Sequence, residues 1–183
     1  SDPGVPFFER TNGAVSLSII ANPRIGLPFG TVPRLLLAWI CTEAVKTKSP
    51  MLGLGKSQNE FLRKLGMRTD GRDCQRLRAQ SLKLFSSMLS ITYQSHGRFG
   101  LKNMPIADEA FVLWDPHRPD DRMLWESTLK LSSEFFRNVT ESPVPIDMRV
   151  LHALSKSPLA MDVYSWLVYR IFLLRVTNRP SVL

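Results

Sequence analysis

The residues best suited to chemistry in this chain are a run of cations and amides: Arg72, Gln75, Arg76, Arg78 and Lys83, with Gln80 among them. At about 100° per residue, a helix through them puts Arg72, Arg76 and Lys83 on one side, broadly away from Leu77, Phe85 and Met88. Such a face suits the major groove of duplex DNA. Arginine pairs with guanine through two hydrogen bonds and glutamine with adenine in the same way, and the N-terminal half of a groove-entering helix approaches the base edges. Arg63, Lys64 and Arg68, just upstream, are then candidate phosphate contacts. Arg98 and Lys102 flank a glycine-bearing turn and are candidates to reach a phosphate or a minor groove. The plain alternative, an ordinary solvated helix face, stays open. Arg118 and Arg122 stand among Asp115, Asp120 and Asp121, which cancel the local charge and make that loop a poor DNA ligand.

Catalytic chemistry finds little to stand on. The three histidines, His96, His117 and His152, are scattered, and no His-hydrophobic-His pair accompanies a tyrosine as a DNA-nicking enzyme requires. There is no GxxxxGK[ST] phosphate loop, GxSxG elbow or HExxH helix, so ATPase, hydrolase and metalloprotease readings drop out. Cys41 and Cys74 are far apart, outside any CxxC pair, which argues against zinc and fits a reducing cytoplasm. No cofactor or metal is expected, and the chain is read as a non-enzyme. With 24 Lys and Arg against 16 Asp and Glu, the net charge of +8 favours a polyanionic partner. No segment is long and apolar enough to span a membrane; even Tyr164–Val176 carries Arg170 and Arg175. Ser1-Asp2-Pro3-Gly4 reads as a truncation or junction rather than a targeting peptide.

The elements that would position these residues follow from period and punctuation. Val15–Ala21 is a candidate strand ended by Asn22-Pro23. Thr31 can cap a helix carrying Pro33 in its first turn, with Leu35, Leu36, Trp39, Ile40 and Val45 on its apolar face. Met51–Leu54 suits a very short strand or only a turn. Ser57 and Glu60 form a capping-box pattern for a short helix with Phe61, Leu62 and Leu65 on its apolar side, and Gly66 is placed to end it left-handed. After a polar turn, Arg72–Ser90 reads as a longer helix, which completes the helix-turn-helix order. An antiparallel meander is expected next, from Ile91–Ser95, Ala110–Trp114 and Met123–Leu131, with 115–121 as a tip. Helices then follow at Ser133–Val139, Asp147–Leu154 and Pro158–Arg175, with a hinge at Glu141–Pro145. Trp39, Trp125, Trp166, Phe61, Phe85 and Phe136 are expected in the core, whereas Trp114 is either packed or part of a partner surface.

In this order of elements the sequence resembles the plasmid-encoded RepA replication initiators, a family of winged-helix initiators. The resemblance runs from about Gly26 to about Arg175. It rests on GLPFGTVPRLLLAWICTEAVKTKS (Gly26–Ser49), FLRKLGM (Phe61–Met67), IADEA (Ile106–Ala110), LWEST (Leu124–Thr128), SEFF (Ser133–Phe136), PVPID (Pro143–Asp147) and SPLAMDVYSWLVYR (Ser157–Arg170). It implies a protein of the bacterial cytoplasm that recognises repeated sites in a plasmid origin, helps open the duplex and brings in host helicase and primase. It also implies two winged helices, the second beginning near Ser142 and lacking its recognition helix here. Arg72, Gln75, Arg76 and Arg78, preceded by Thr69-Asp70-Gly71, match the start of the first recognition helix.

The expectation is therefore an α+β, mainly α, protein. Residues 1–141 form an N-terminal winged-helix domain with a preceding strand, and 142–183 the opening helices of a second, truncated one. Its expected function is sequence-specific binding of double-stranded DNA in plasmid replication, as a homodimer. Two alternatives remain: a dimerisation and partner-docking module, and a winged-helix transcriptional repressor.

Overall fold

The computed structural model describes residues 7–114 and 126–177. Among them are seven strands and six helices: β1 Phe7–Asn12, β2 Val15–Ile20, α1 Val32–Thr47, β3 Met51–Gly55, α2 Gln58–Lys64, α3 Gly71–Phe85, β4 Met88–Ser95, β5 Arg98–Pro105, β6 Ala107–Phe111, β7 Ser127–Leu131, α4 Ser133–Glu141, α5 Met148–Ala153 and α6 Pro158–Thr177. The fold is mixed α and β, as the sequence predicts.

The strands divide into two antiparallel sheets, ordered β1-β2-β4-β5 and β3-β7-β6. This corrects the single meander expected after α3. The chain changes sheet at Pro105-Ile106, because proline cannot donate to the ladder and Ile106 is pulled into the core. The amide of Ile106 donates to Ser87 O and its carbonyl accepts from Ser132 N, so the corner is tied on both sides. The short strand expected at Met51–Leu54 is present but pairs with β7, not with the β4–β5 hairpin. The strand expected at Ala110–Trp114 lies earlier, at Ala107–Phe111. The expected 115–121 tip, the first part of the Met123–Leu131 strand and Trp125 lie outside the described residues.

Helix α3 ends at Phe85, five residues short of the expected Ser90. Ser86 and Ser87 both turn their hydroxyls onto the Lys83 carbonyl, at 3.3 and 2.7 Å, and this local bonding competes with helix continuation. Met88 therefore pairs with Ile20 as the first residue of β4 instead of lying on the helix.

Phe61, Leu62, Leu77, Ile40, Leu36, Leu52, Leu54 and Leu129 fill the core where α1, α2 and α3 meet the second sheet. Trp39 and Trp114 are buried there against Phe61, so Trp114 is a packing residue. Helices α5 and α6 pack on α1 through Leu35, Leu151 and Met161, and Asp162 takes a two-pronged ion pair from Arg34 at 2.6 and 2.7 Å. Trp166, expected in the core, is about half exposed (49%). Apolar residues surround α6 on every side, so one face is left to solvent whichever face packs. No helix among the described residues is long and apolar enough to cross a membrane.

Candidate nucleic-acid interface

The cationic helix is held in place by polar anchors. Ser57 Oγ accepts from Glu60 N at 3.2 Å, and the Glu60 carboxylate accepts from Lys56 N at 3.2 Å, which fixes the start of α2. Buried Gln58 donates from Nε2 to Cys74 O at 2.6 Å, and the Cys74 thiol lies 3.5 Å from Asn59 Oδ1; these bonds lock α2 across α3. Gly66 ends α2 with φ of 69°, and Met67 N reaches back to Leu62 O at 2.9 Å. A side chain at Gly66 would also meet the His152 ring of α5 at about 3.0 Å. Asp70 then caps α3, accepting from Asp73 N at 2.8 Å.

On α3, Asp73, Cys74, Leu77, Gln80, Ser81, Leu84 and Phe85 are buried. Arg72, Gln75, Arg76, Arg78, Ala79 and Leu82 are exposed. The structure thus brings four of the predicted cations and amides, Arg72, Gln75, Arg76 and Arg78, onto the solvent side of one helix. Among the described residues Arg72 and Arg78 have no ion-pair partner.

Arg76 is different. One guanidinium nitrogen donates to Asp73 Oδ1 at 3.1 Å and another lies 3.5 Å from Thr31 Oγ1. Thr31 precedes α1 as expected, but its backbone is already helical and its side chain makes no cap bond; the hydroxyl faces Arg76 instead. The same flank of α3 is strapped to the preceding loop twice more. Gln80 Oε1 accepts from Phe29 N at 2.9 Å, and Lys83 Nζ stands 4.7 Å from the centre of the Phe29 ring. Lys83 is consequently half-buried. Sequence reasoning missed this strap because its partners lie in a segment without periodicity.

Of the expected phosphate contacts, Arg63, Lys64 and Arg68 are exposed beside α3. Lys64 lies 3.5 Å from Glu60, and Arg68 lies 3.8 Å from Asp70. Both pairs are open to water and weak enough to exchange for a phosphate.

The β4–β5 hairpin turns at His96-Gly97 with φ of 47° and 74°, the two left-handed residues of a tight hairpin turn. Arg98 pairs with Ser95 directly after it and is exposed. Lys102 is not at the tip. It lies opposite Ile91, with its ammonium 2.5 Å from Glu134 Oε1 and 3.2 Å from Asn138 Oδ1. Hydrogen bonds from Lys102 and then Arg137 hold the Glu134 carboxyl down to about 2, so this cluster stays ionised through the neutral range. Lys102 thereby ties the hairpin to α4.

A cavity of about 820 Å³ lies between α1, α4, the 142–146 segment and α6, lined mostly by apolar groups such as Leu37, Val45, Phe135 and Phe172. Cys41 lies in its wall, and burial pushes its thiol up to about 11, which keeps it protonated and unreactive. No group of three or more His, Cys, Asp or Glu residues among the described residues is placed to hold a metal ion.

A family model described as "Plasmid encoded RepA protein" matches residues 27–182. Among solved structures, the chain is similar to the selenomethionine form of domains 2 and 3 of RctB, with a TM-score of 0.62 and 11% identity over 88% of this chain and 62% of that one. A second structure of RctB domains 2–3 gives a TM-score of 0.54 and 12% identity, covering 80% and 58% respectively. The likeness at this identity is one of fold, and the chain spans about three-fifths of the length of either RctB structure. No curated protein matches.

Proposed function

Because this chain belongs to the plasmid-encoded RepA protein family, we propose that it is the duplex-binding part of a plasmid replication initiator, with α3 as the helix that enters the major groove. The observation that carries this reading is the α3 surface. Three arginines and a glutamine stand on the solvent side of a helix whose opposite side is core, and Asp70, Gln58 and Gln80 fix that helix in place. Helix α1, strand β3, the α2–α3 pair and the strands β6 and β7 that share a sheet with β3 supply the parts of a winged helix in chain order, while Arg98 stands at the tip of the β4–β5 hairpin in the other sheet. In this reading the protein acts in the bacterial cytoplasm and catalyses nothing. Duplex opening and recruitment of host helicase and primase belong to the whole initiator.

The test is fluorescence anisotropy of the full chain against duplexes from the origin of the plasmid that encodes it, and against scrambled duplexes, at two salt concentrations. Preferential binding to origin repeats that weakens with salt is expected, with a log-log slope of about 0.9 per neutralised phosphate. Equal and feeble binding to both duplexes would refute sequence-specific recognition by this part of the initiator.

A second reading, a dimerisation module, is favoured by a different surface. On one face of the first sheet Val15, Leu17 and Tyr93 are exposed in register with one another and with Ile91. An apolar sheet face of this kind suits a second copy. The two roles are compatible, and light scattering without DNA distinguishes a dimer from a monomer. Repression of a promoter through the same α3 contacts would be separated from initiation only by where the bound site lies.

A further inference from the structure

The exposed side of α3 is not uniform. At about 100° per residue, Arg72, Gln75 and Ala79 form one row that points directly away from Leu77 and Ser81. Arg76 stands on one flank of that row, against Thr31 and Asp73. Arg78 stands on the other flank, beside the cleft between α3 and Ala107–Ala110 of β6. A helix lying in a groove turns its central row to the base edges and its two flanks to the two phosphate backbones. The central row runs over seven residue-to-residue rises, about 10 Å, which is about three base-pair steps.

We infer that Arg72, Gln75 and Ala79 are the base-reading residues, with Ala79 packing its methyl on the C5-methyl of a thymine, and that Arg76 and Arg78 grip phosphates on opposite strands. The assignment rests on α3 being the groove-entering helix and adds to it a division of labour. Ala79 is exposed and carries no hydrogen-bonding group, so the one base feature it can recognise is the thymine methyl. Gln75, one turn before it, has both a donor and an acceptor to offer an adjacent adenine. Arg76 is the less suitable reader. Two of its nitrogens already point to Asp73 and Thr31, which aims the guanidinium sideways as a positioned cation. Asp73 and Thr31 are thus positioning residues for a backbone contact.

The experiment replaces each thymine of an origin repeat in turn by deoxyuridine, which removes only the C5-methyl, and measures anisotropy with the wild-type chain, Ala79→Gly and Arg76→Ala. One position is expected to lower wild-type affinity about fivefold, and Ala79→Gly should bind both duplexes equally. Arg76→Ala is expected to retain the sensitivity to uracil and the order of base preferences while its salt slope falls by about one contact. Circular dichroism checks that each variant is folded. Should Ala79→Gly unfold, Ala79→Ser takes its place, and the uracil scan of the wild type is unaffected. A wild-type chain that binds the repeat but ignores every thymine methyl overturns the Ala79 contact, and a changed base preference in Arg76→Ala overturns the division of labour. A wild-type chain that binds no duplex overturns the reading of α3 itself.

Discussion

Phe61→Ala is expected to lower the free energy of unfolding by about 4 kcal/mol. Phe61 has no exposed surface and stands between two tryptophans, with its ring centre 4.9 Å from that of Trp39 in an edge-on contact and 5.3 Å from that of Trp114. Truncation removes the transfer contribution of the ring, leaves a void that two rigid indoles cannot close, and deletes two aromatic contacts worth about 1 kcal/mol each beyond their area. A domain of this size is stable by about 5–15 kcal/mol, so the loss is a large share of the total. Urea unfolding followed by tryptophan fluorescence measures it through the midpoint. Phe61→Leu, which keeps most of the volume, should cost about half as much. Trp166→Ala is the control, because its ring is half exposed on α6; its cost should stay near 1 kcal/mol. Equal shifts for Phe61→Ala and Trp166→Ala would mean that the three-ring stack is not the centre of the fold. Phe61 belongs to α2, so the same variant should loosen α2 against α1 and with it the setting of α3.

What was legible in the sequence was local. The starts of α2, α4 and α5 follow from Ser57, Ser132 and Asp147, each of which accepts a hydrogen bond from a backbone amide two or three residues on. Gly66 as the left-handed stop of α2 was readable for the same reason. The cationic face of α3 was readable because its pattern is complete within one helix. The partition of strands into two sheets was not, since β3 finds β7 by pairing Met51 with Lys130, far along the chain. Strand β1 has an exposed side chain at every position, so it lacks the alternation that marks a half-buried strand. Its turn was announced by Asn12-Gly13, where Gly13 adopts φ of 59°, and that signal could have found it. The role of Lys102 depends on Glu134 in a different element, and the posture of Arg76 on Thr31, 45 residues earlier. Composition and spacing contain neither fact, because both are products of packing.

The packing also explains why the candidate interface can be specific without being flexible. Of the five cations and amides first read along α3, Lys83 is drawn off to Phe29, and Arg76 is held by Asp73 and Thr31. Gln80, the second amide of that stretch, is buried as an anchor. Arg72, Gln75 and Arg78 are left exposed on the face. A helix fixed through α2 and through the loop before α1 presents these groups at a set height above the core, which lowers the ordering cost on binding.

Replacing Arg72, Arg76 and Arg78 together by alanine is expected to lower affinity for origin duplex about a thousandfold. Each charged contact to a phosphate or a guanine is worth about 1–3 kcal/mol, and a factor of ten is about 1.4 kcal/mol, so three contacts give about two to six decades and a thousandfold loss lies toward the lower end. The salt dependence should flatten in parallel, because losing the phosphate contacts of Arg76 and Arg78 releases about two fewer counterions. Stability should hardly change. All three side chains are exposed, and their stems lie outside the core, although the triple variant gives up the Arg76–Asp73 pair and leaves Asp73 with less compensation. Anisotropy titrations across a salt series, with the urea midpoint of the same preparation, separate the two effects. A loss of affinity with an unmoved midpoint and a shallower slope assigns duplex binding to α3. Unaltered affinity would move the contact to the hairpin tip, where Arg98→Ala should then carry the loss, and would leave the α3 face as a solvated surface.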